Sequence, residues 1–204
     1  MRQRAVQVRD CTLFTQIYIS NISLDFVLRN AINNLIGLND WDSVSKLLIQ
    51  GLDALDSGQI YYGINLLKLI SENIDLEIFT QALHMIGIHL YLIKIYPEAI
   101  NHSLNVRHDV IPWAYAEAQN IIGISYRELG NTYLAIQHWE NVSHADSPSS
   151  YAKAQFNLGL EFQKVGELEL AAKHFGNVRE EDDPEVYGPA KTLYTAVNIF
   201  LEGR

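Results

Sequence analysis

The sequence predicts an all-α chain: antiparallel helix pairs stacked into a solenoid, about eleven helices and no strand. Two observations carry that expectation. The stretch 120–148 recurs 36 residues later: Gly123 becomes Gly159, Gly130 becomes Gly166, Ala135 becomes Ala171, Trp139 becomes Phe175 and Pro148 becomes Pro184. Apolar residues also recur at helical spacing, as in the stripe Leu24, Val27, Leu28, Ala31 and Leu35. The same register runs backwards from Gly123 to Gly87 and Gly51, from Ala135 to Ala99 and Gly63, and from Pro148 to Pro112. Tyr151 maps forward to Tyr187 and back to Tyr115 and Phe79.

Taken in order, residues 3–19 and 22–36 read as two amphipathic helices, a pair over 1–38 that is either a cap or a degenerate repeat. The repeats occupy 39–184. Asp40 can cap a helix opening at Trp41, Asp56-Ser57-Gly58 is turn chemistry, and residues 60–70 form the second helix of that pair. Pairs at 75–93 and 96–107, 113–129 and 132–143, and 149–165 and 168–179 follow. Gly at the middle of each first helix lets a partner cross closely, against a propensity cost of up to about 1 kcal/mol. Trp139 and Phe175 are large fillers, and their equivalents Leu67 and Ser103 are smaller. Gly58, Gly130 and Gly166 sit where first helices stop, as left-handed caps. Pro112, Pro148 and Pro184 suit a first helical turn, with Ser147 and Asp183 as N-caps before two of them. A last, unpartnered helix spans about 185–202 within the segment 185–204. Its apolar residues Leu193, Tyr194, Val197, Ile199, Phe200 and Leu201 spread round much of its circumference. That spread suggests self-association through this end, a continuation, or an untidy cap.

These residues resemble the tetratricopeptide repeats. That family shows a Leu-Gly pair, an aromatic, a turn Gly, a small residue, a large aromatic and a Pro. Here stand Ile122-Gly123, Tyr126, Gly130, Ala135, Trp139 and Pro148, then Leu158-Gly159, Phe162, Gly166, Ala171, Phe175 and Pro184. The resemblance is good over 115–184 and weakens towards residue 43. Two features depart from the family: the period is 36 rather than about 34, and Gln119 and Gln155 replace its Trp near the start of the first helix. The resemblance implies a right-handed superhelix whose first helices line a concave groove.

Composition bounds the function. The chain has 204 residues and a net charge of −9, which disfavours indiscriminate binding to nucleic acid or an anionic membrane. One cysteine, Cys11, cannot form an internal disulfide and fits a reducing, cytoplasmic setting. Arg2 and Arg4 hint at a secretion signal, but Gln7, Arg9 and Asp10 interrupt any apolar core for one. No phosphate-binding glycine motif is present. His84 and His89 lie about 140° apart round a helix, too far to share an ion. The acidic run Glu180-Glu181-Asp182-Asp183 lacks the alternation and Gly of a calcium loop. No metal, no cofactor and no enzymatic role are expected.

The family register places Gln81, His84, Met85, Ile88 and Tyr91 on the groove, then Glu117, Asn120, Ile121, Ile124, Arg127 and Glu128. From the next pair come Lys153, Phe156, Asn157, Leu160 and Lys164. The expected peptide-binding residues are therefore His84, Tyr91, Asn120, Arg127, Lys153, Phe156, Asn157 and Lys164. Asn offers a donor and an acceptor to a peptide backbone, and Arg grips a carboxylate bidentately. Lys153 and Asn157 match part of a carboxylate clamp found in some family members, whereas Ile121 and Ile124 stand where it needs polar groups. The expected function is a protein-interaction scaffold or adaptor that takes a peptide or partner helix. The alternative is a peptide-sensing regulator or secretion-type chaperone on the same repeats.

Overall fold

The structure is a computed structural model that describes residues 41–73 and 75–203. The expected pair over 1–38, Cys11 and the Asp40 cap lie outside the described residues. Within them every regular element is a helix: α1 (Trp41–Asp56), α2 (Ile60–Leu67), α3 (Leu76–Leu92), α4 (Tyr96–Ser103), α5 (Pro112–Glu128), α6 (Thr132–Glu140), α7 (Pro148–Lys164), α8 (Leu168–Gly176) and α9 (Pro184–Glu202). These nine helices form four pairs and a ninth without a second helix among the described residues.

Each pair closes on itself, α1 with α2, α3 with α4, α5 with α6 and α7 with α8. Each second helix also packs on the next first helix, and the first helices α1, α3, α5, α7 and α9 pack on one another in chain order. The second helices end three or four residues earlier than the periodicity suggests. Past Leu67, Ser103, Glu140 and Gly176 the backbone tightens into i→i−3 bonds such as Ile70 N–H to Leu67 O and Val106 N–H to Ser103 O. That is ordinary fraying of a final turn.

Sterics at the crossings explain why glycines recur there. A Cβ built on Gly51 would meet Leu67, one on Gly87 would meet Ser103, and one on Gly159 would meet Phe175, each closer than 3.0 Å. Gly51, Gly87, Gly123 and Gly159 thus each face the side chain sixteen positions on, and Trp139 and Phe175 are wholly buried there. Ser103 is the small member, and its buried Oγ has no hydrogen-bond partner.

The caps follow the same register. Gly58, Gly130 and Gly166 have φ of 81°, 81° and 85°. In the α3–α4 pair Lys94 takes that place with φ 64°. Asn131 N–H reaches Tyr126 O and Gly130 N–H reaches Arg127 O, the paired bonds of a Schellman turn. Pro112, Pro148 and Pro184 open α5, α7 and α9. Ser147 Oγ accepts from Ser150 N–H, and Asp183 accepts from Glu185 and Val186 N–H.

Candidate functional site

The first helices form a continuous wall, and the expected binding residues stand on three of them. On α3, His84 is buried, and its Nε2–H donates to Glu117 Oε2 of α5 at 3.0 Å. Trp113, half-exposed at the start of α5, meets the His84 ring edge-on at 5.3 Å. The His84 bond holds the Glu117 carboxyl below its ordinary range, against burial and with help from Lys153. Tyr91, at the other end of α3, packs on Tyr96 at 6.3 Å.

On α5, Asn120 is buried, and its Nδ2 donates to Ser150 O of α7 at 2.7 Å. Its carboxamide therefore ties two first helices together, and its buried Oδ1 has no partner. Arg127 donates to Asn157 Oδ1 at 3.1 Å, pairs with Glu128 and lies over the Trp139 ring. The structure thus brings Arg127 and Asn157 together, but as partners of each other.

On α7, Lys153 is half-exposed, and its Nζ stands 3.7 Å from Asp183 Oδ2. Ser149 donates to that same oxygen at 2.8 Å. Burial pushes the Asp183 carboxyl up, yet the bonds from Ser149 and the Val186 N–H, with Lys153 nearby, hold it below the usual range. Phe156 packs on Phe175 at 6.0 Å. Lys164 is open to solvent, 3.6 Å from the buried Glu161 carboxylate. Lys153 and Lys164 are the binding candidates with half or more of the side chain exposed in these pairs.

Trp113 is a residue that the repeat pattern could not single out. Its equivalents are Glu77 and Ser149, so it stands outside the register. Gln119 and Gln155 find their reason in α6 and α8. His138 Nδ1–H donates to Gln119 Oε1, and His174 Nδ1–H donates to Gln155 Oε1, both at 2.8 Å. The first imidazole stacks on Tyr126 and the second on Phe162. Burial pushes both imidazoles below their ordinary pKa, so each is neutral at neutral pH.

A second device joins successive loops. His108 Nε2–H donates to Asp146 at 2.9 Å while its ring meets Tyr115; His144 does the same to Asp182 and Tyr151. Burial would raise the Asp182 carboxyl, but bonds from His144 and Arg179 hold it low. These clasps repeat the 36-residue register, a signal present in the sequence.

Among the described residues, no group of three or more His, Cys, Asp or Glu side chains is placed to share a metal ion. No helix there is long and apolar enough to cross a membrane. The wall offers Glu117, Glu128, Lys153 and Lys164 as exposed charges and Trp113 as an exposed ring, a set suited to ion pairs and stacking. Compared with known proteins, the chain matches no family model and no curated protein.

Proposed function

We propose that this chain is a protein-interaction scaffold or adaptor of tetratricopeptide type. Its helix pairs wind into a right-handed superhelical solenoid, and the first-helix wall is the concave groove that takes an extended peptide or a partner helix. The observation that supports this most is the unbroken side-by-side packing of α1, α3, α5, α7 and α9. A wall of that kind spreads recognition over several repeats. Trp113 supplies the half-exposed aromatic anchor typical of binding hot spots, and Lys153 stands on the next first helix as a half-exposed cation beside Asp183. Asn120, Arg127 and Asn157 fix the spacing of the wall beneath them. The single cysteine agrees with a cytoplasmic setting.

Self-association through α9 is part of the reading, since Tyr194 and Ile199 are exposed on it. Sedimentation equilibrium showing a monomer at tens of micromolar would remove that part alone.

The groove is tested by affinity capture with the wild type beside Trp113→Ala/Lys153→Ala. Both side chains are at least half exposed, so the fold is expected to hold. Loss of the wild-type partners supports the groove. Recovery of the same partners in the same amounts excludes it.

A further inference from the structure

The α3–α4 pair departs from the repeat register on one side. Leu83 stands where Gln119 and Gln155 stand, Leu90 where Tyr126 and Phe162 stand, and Ser103 where Trp139 and Phe175 stand. His102 is the equivalent of His138 and His174, but Leu83 and Leu90 offer it neither an acceptor nor a ring. The loop clasp is missing as well. Glu72 replaces the histidine of His108 and His144, and Val110 replaces the aspartate of Asp146 and Asp182.

Two voids coincide with these losses. A surface cleft of about 600 Å³ opens where the clasp would lie, bordered by Lys68, Glu72, Leu104 and Arg107. Behind it a cavity of about 130 Å³ is lined by Leu67, Ala82, Leu83, Ile86 and His102. Lys68, Ile70 and Phe79 belong to the walls of both.

We propose that cleft and cavity together form a binding site for an amphipathic carboxylate. Its aryl or branched apolar group fills the inner cavity, and its carboxylate rests at the rim on Lys68 and Arg107. Size supports the inner half: an apolar cavity of about 150 Å³ accepts a benzene-sized guest. Charge supports the outer half. Lys68 is exposed and has no carboxylate within ion-pair distance among the described residues. Arg107 gives Nε and Nη2 to Asp109 and keeps Nη1 for another acceptor. Glu72 is the one acidic side chain of the lining, and Asp109 already pairs with Arg107, so Lys68 is the cation left to take most of the carboxylate charge. His102 is pushed below its ordinary pKa by burial and by Lys68, so the inner end stays uncharged at neutral pH. The site is separate from the groove proposed above.

The same chemistry fits a free carboxylic acid or the C-terminal residue of a peptide. Amide-resolved NMR titrations with 3-phenylpropionate, N-acetyl-Gly-Phe with a free carboxylate, and the neutral 3-phenylpropanamide test it. Saturable shifts at Phe79, Leu83 and His102 are expected with at least one acid, and the tighter acid names the source. The amide should bind about tenfold more weakly, and so should either acid to Lys68→Glu, whereas Lys173→Glu should bind as wild type. Glu72→His/Val110→Asp installs the clasp of the other junctions and should weaken binding while the thermal midpoint holds or rises. No saturable shifts at millimolar acid, an amide as tight as the acids, or unchanged binding to Lys68→Glu overturns the proposal.

Discussion

Gly123 and Trp139 compete for one volume: a Cβ on Gly123 would stand 2.4 Å from the indole nitrogen and 2.7 Å from two ring carbons. Trp139 is wholly buried, so the ring cannot swing into solvent to make room. Ala is the better helix former by about 1 kcal/mol, but overpacking costs about 1–3 kcal/mol and more when a rigid ring is struck. Gly123→Ala is therefore expected to lower stability by about 1–2 kcal/mol in urea unfolding. An increase would show that the crossing is looser than the structure has it.

Lys94 carries a different strain. It sits at φ 64° in the place held by Gly58, Gly130 and Gly166. A left-handed conformation costs an L-residue with a Cβ about 1 kcal/mol. Lys94→Gly should stabilise by about 0.5–1 kcal/mol after the looser unfolded chain is counted. Gly130→Ala should lose a similar amount. A thermal melt of both variants checks the opposite signs.

Acid should destabilise the fold in two stages. His102, His138 and His174 have folded pKa values below the ordinary imidazole value of 6.5. Above pH 6.5 both folded and unfolded chains hold them neutral, and their contribution is complete. As pH falls below 6.5 the unfolded chain takes up protons first, and stability drops progressively towards the folded pKa values. Glu117, Asp182 and Asp183 also have lowered folded values, so their contribution is lost at lower pH, as it falls below the ordinary carboxylate range. Denaturation midpoints from about pH 8 down to about pH 2 measure both stages. His138→Phe/His174→Phe should flatten the upper stage and leave the lower one.

Asp183 both caps α9 and holds Ser149 and Lys153 of α7. Asp183→Ala should cost about 1–2 kcal/mol, the value of a strong N-cap. Asp183→Asn keeps an acceptor for the N–H groups and should cost less. Hydrogen exchange should show the loss in the first turn of α9 before it appears in α5 or α6.

The helix pairs, glycine crossings, left-handed caps and proline starts were all legible in the sequence, because each is a local or repeating steric demand. Gly123 with Trp139 and Gly159 with Phe175 follow from a fixed spacing. The site was less legible. A register shows which residues are equivalent, yet how deeply each sits depends on the crossing of neighbouring first helices. Asn120 and Asn157 were expected to meet a ligand; one holds Ser150 O and the other accepts from Arg127. Trp113 was hidden because its exposure breaks the repeat rather than following it. The pairing of Gln119 with His138 could have been found, since Gln155 and His174 repeat it 36 residues on.

The loop clasps make the chain of pairs unevenly stiff. His108 with Asp146 and His144 with Asp182 buckle the later joints, while Glu72 and Val110 leave the first one unfastened. On the groove reading proposed above, bending on binding is expected to concentrate at that junction, with α5 to α9 moving together.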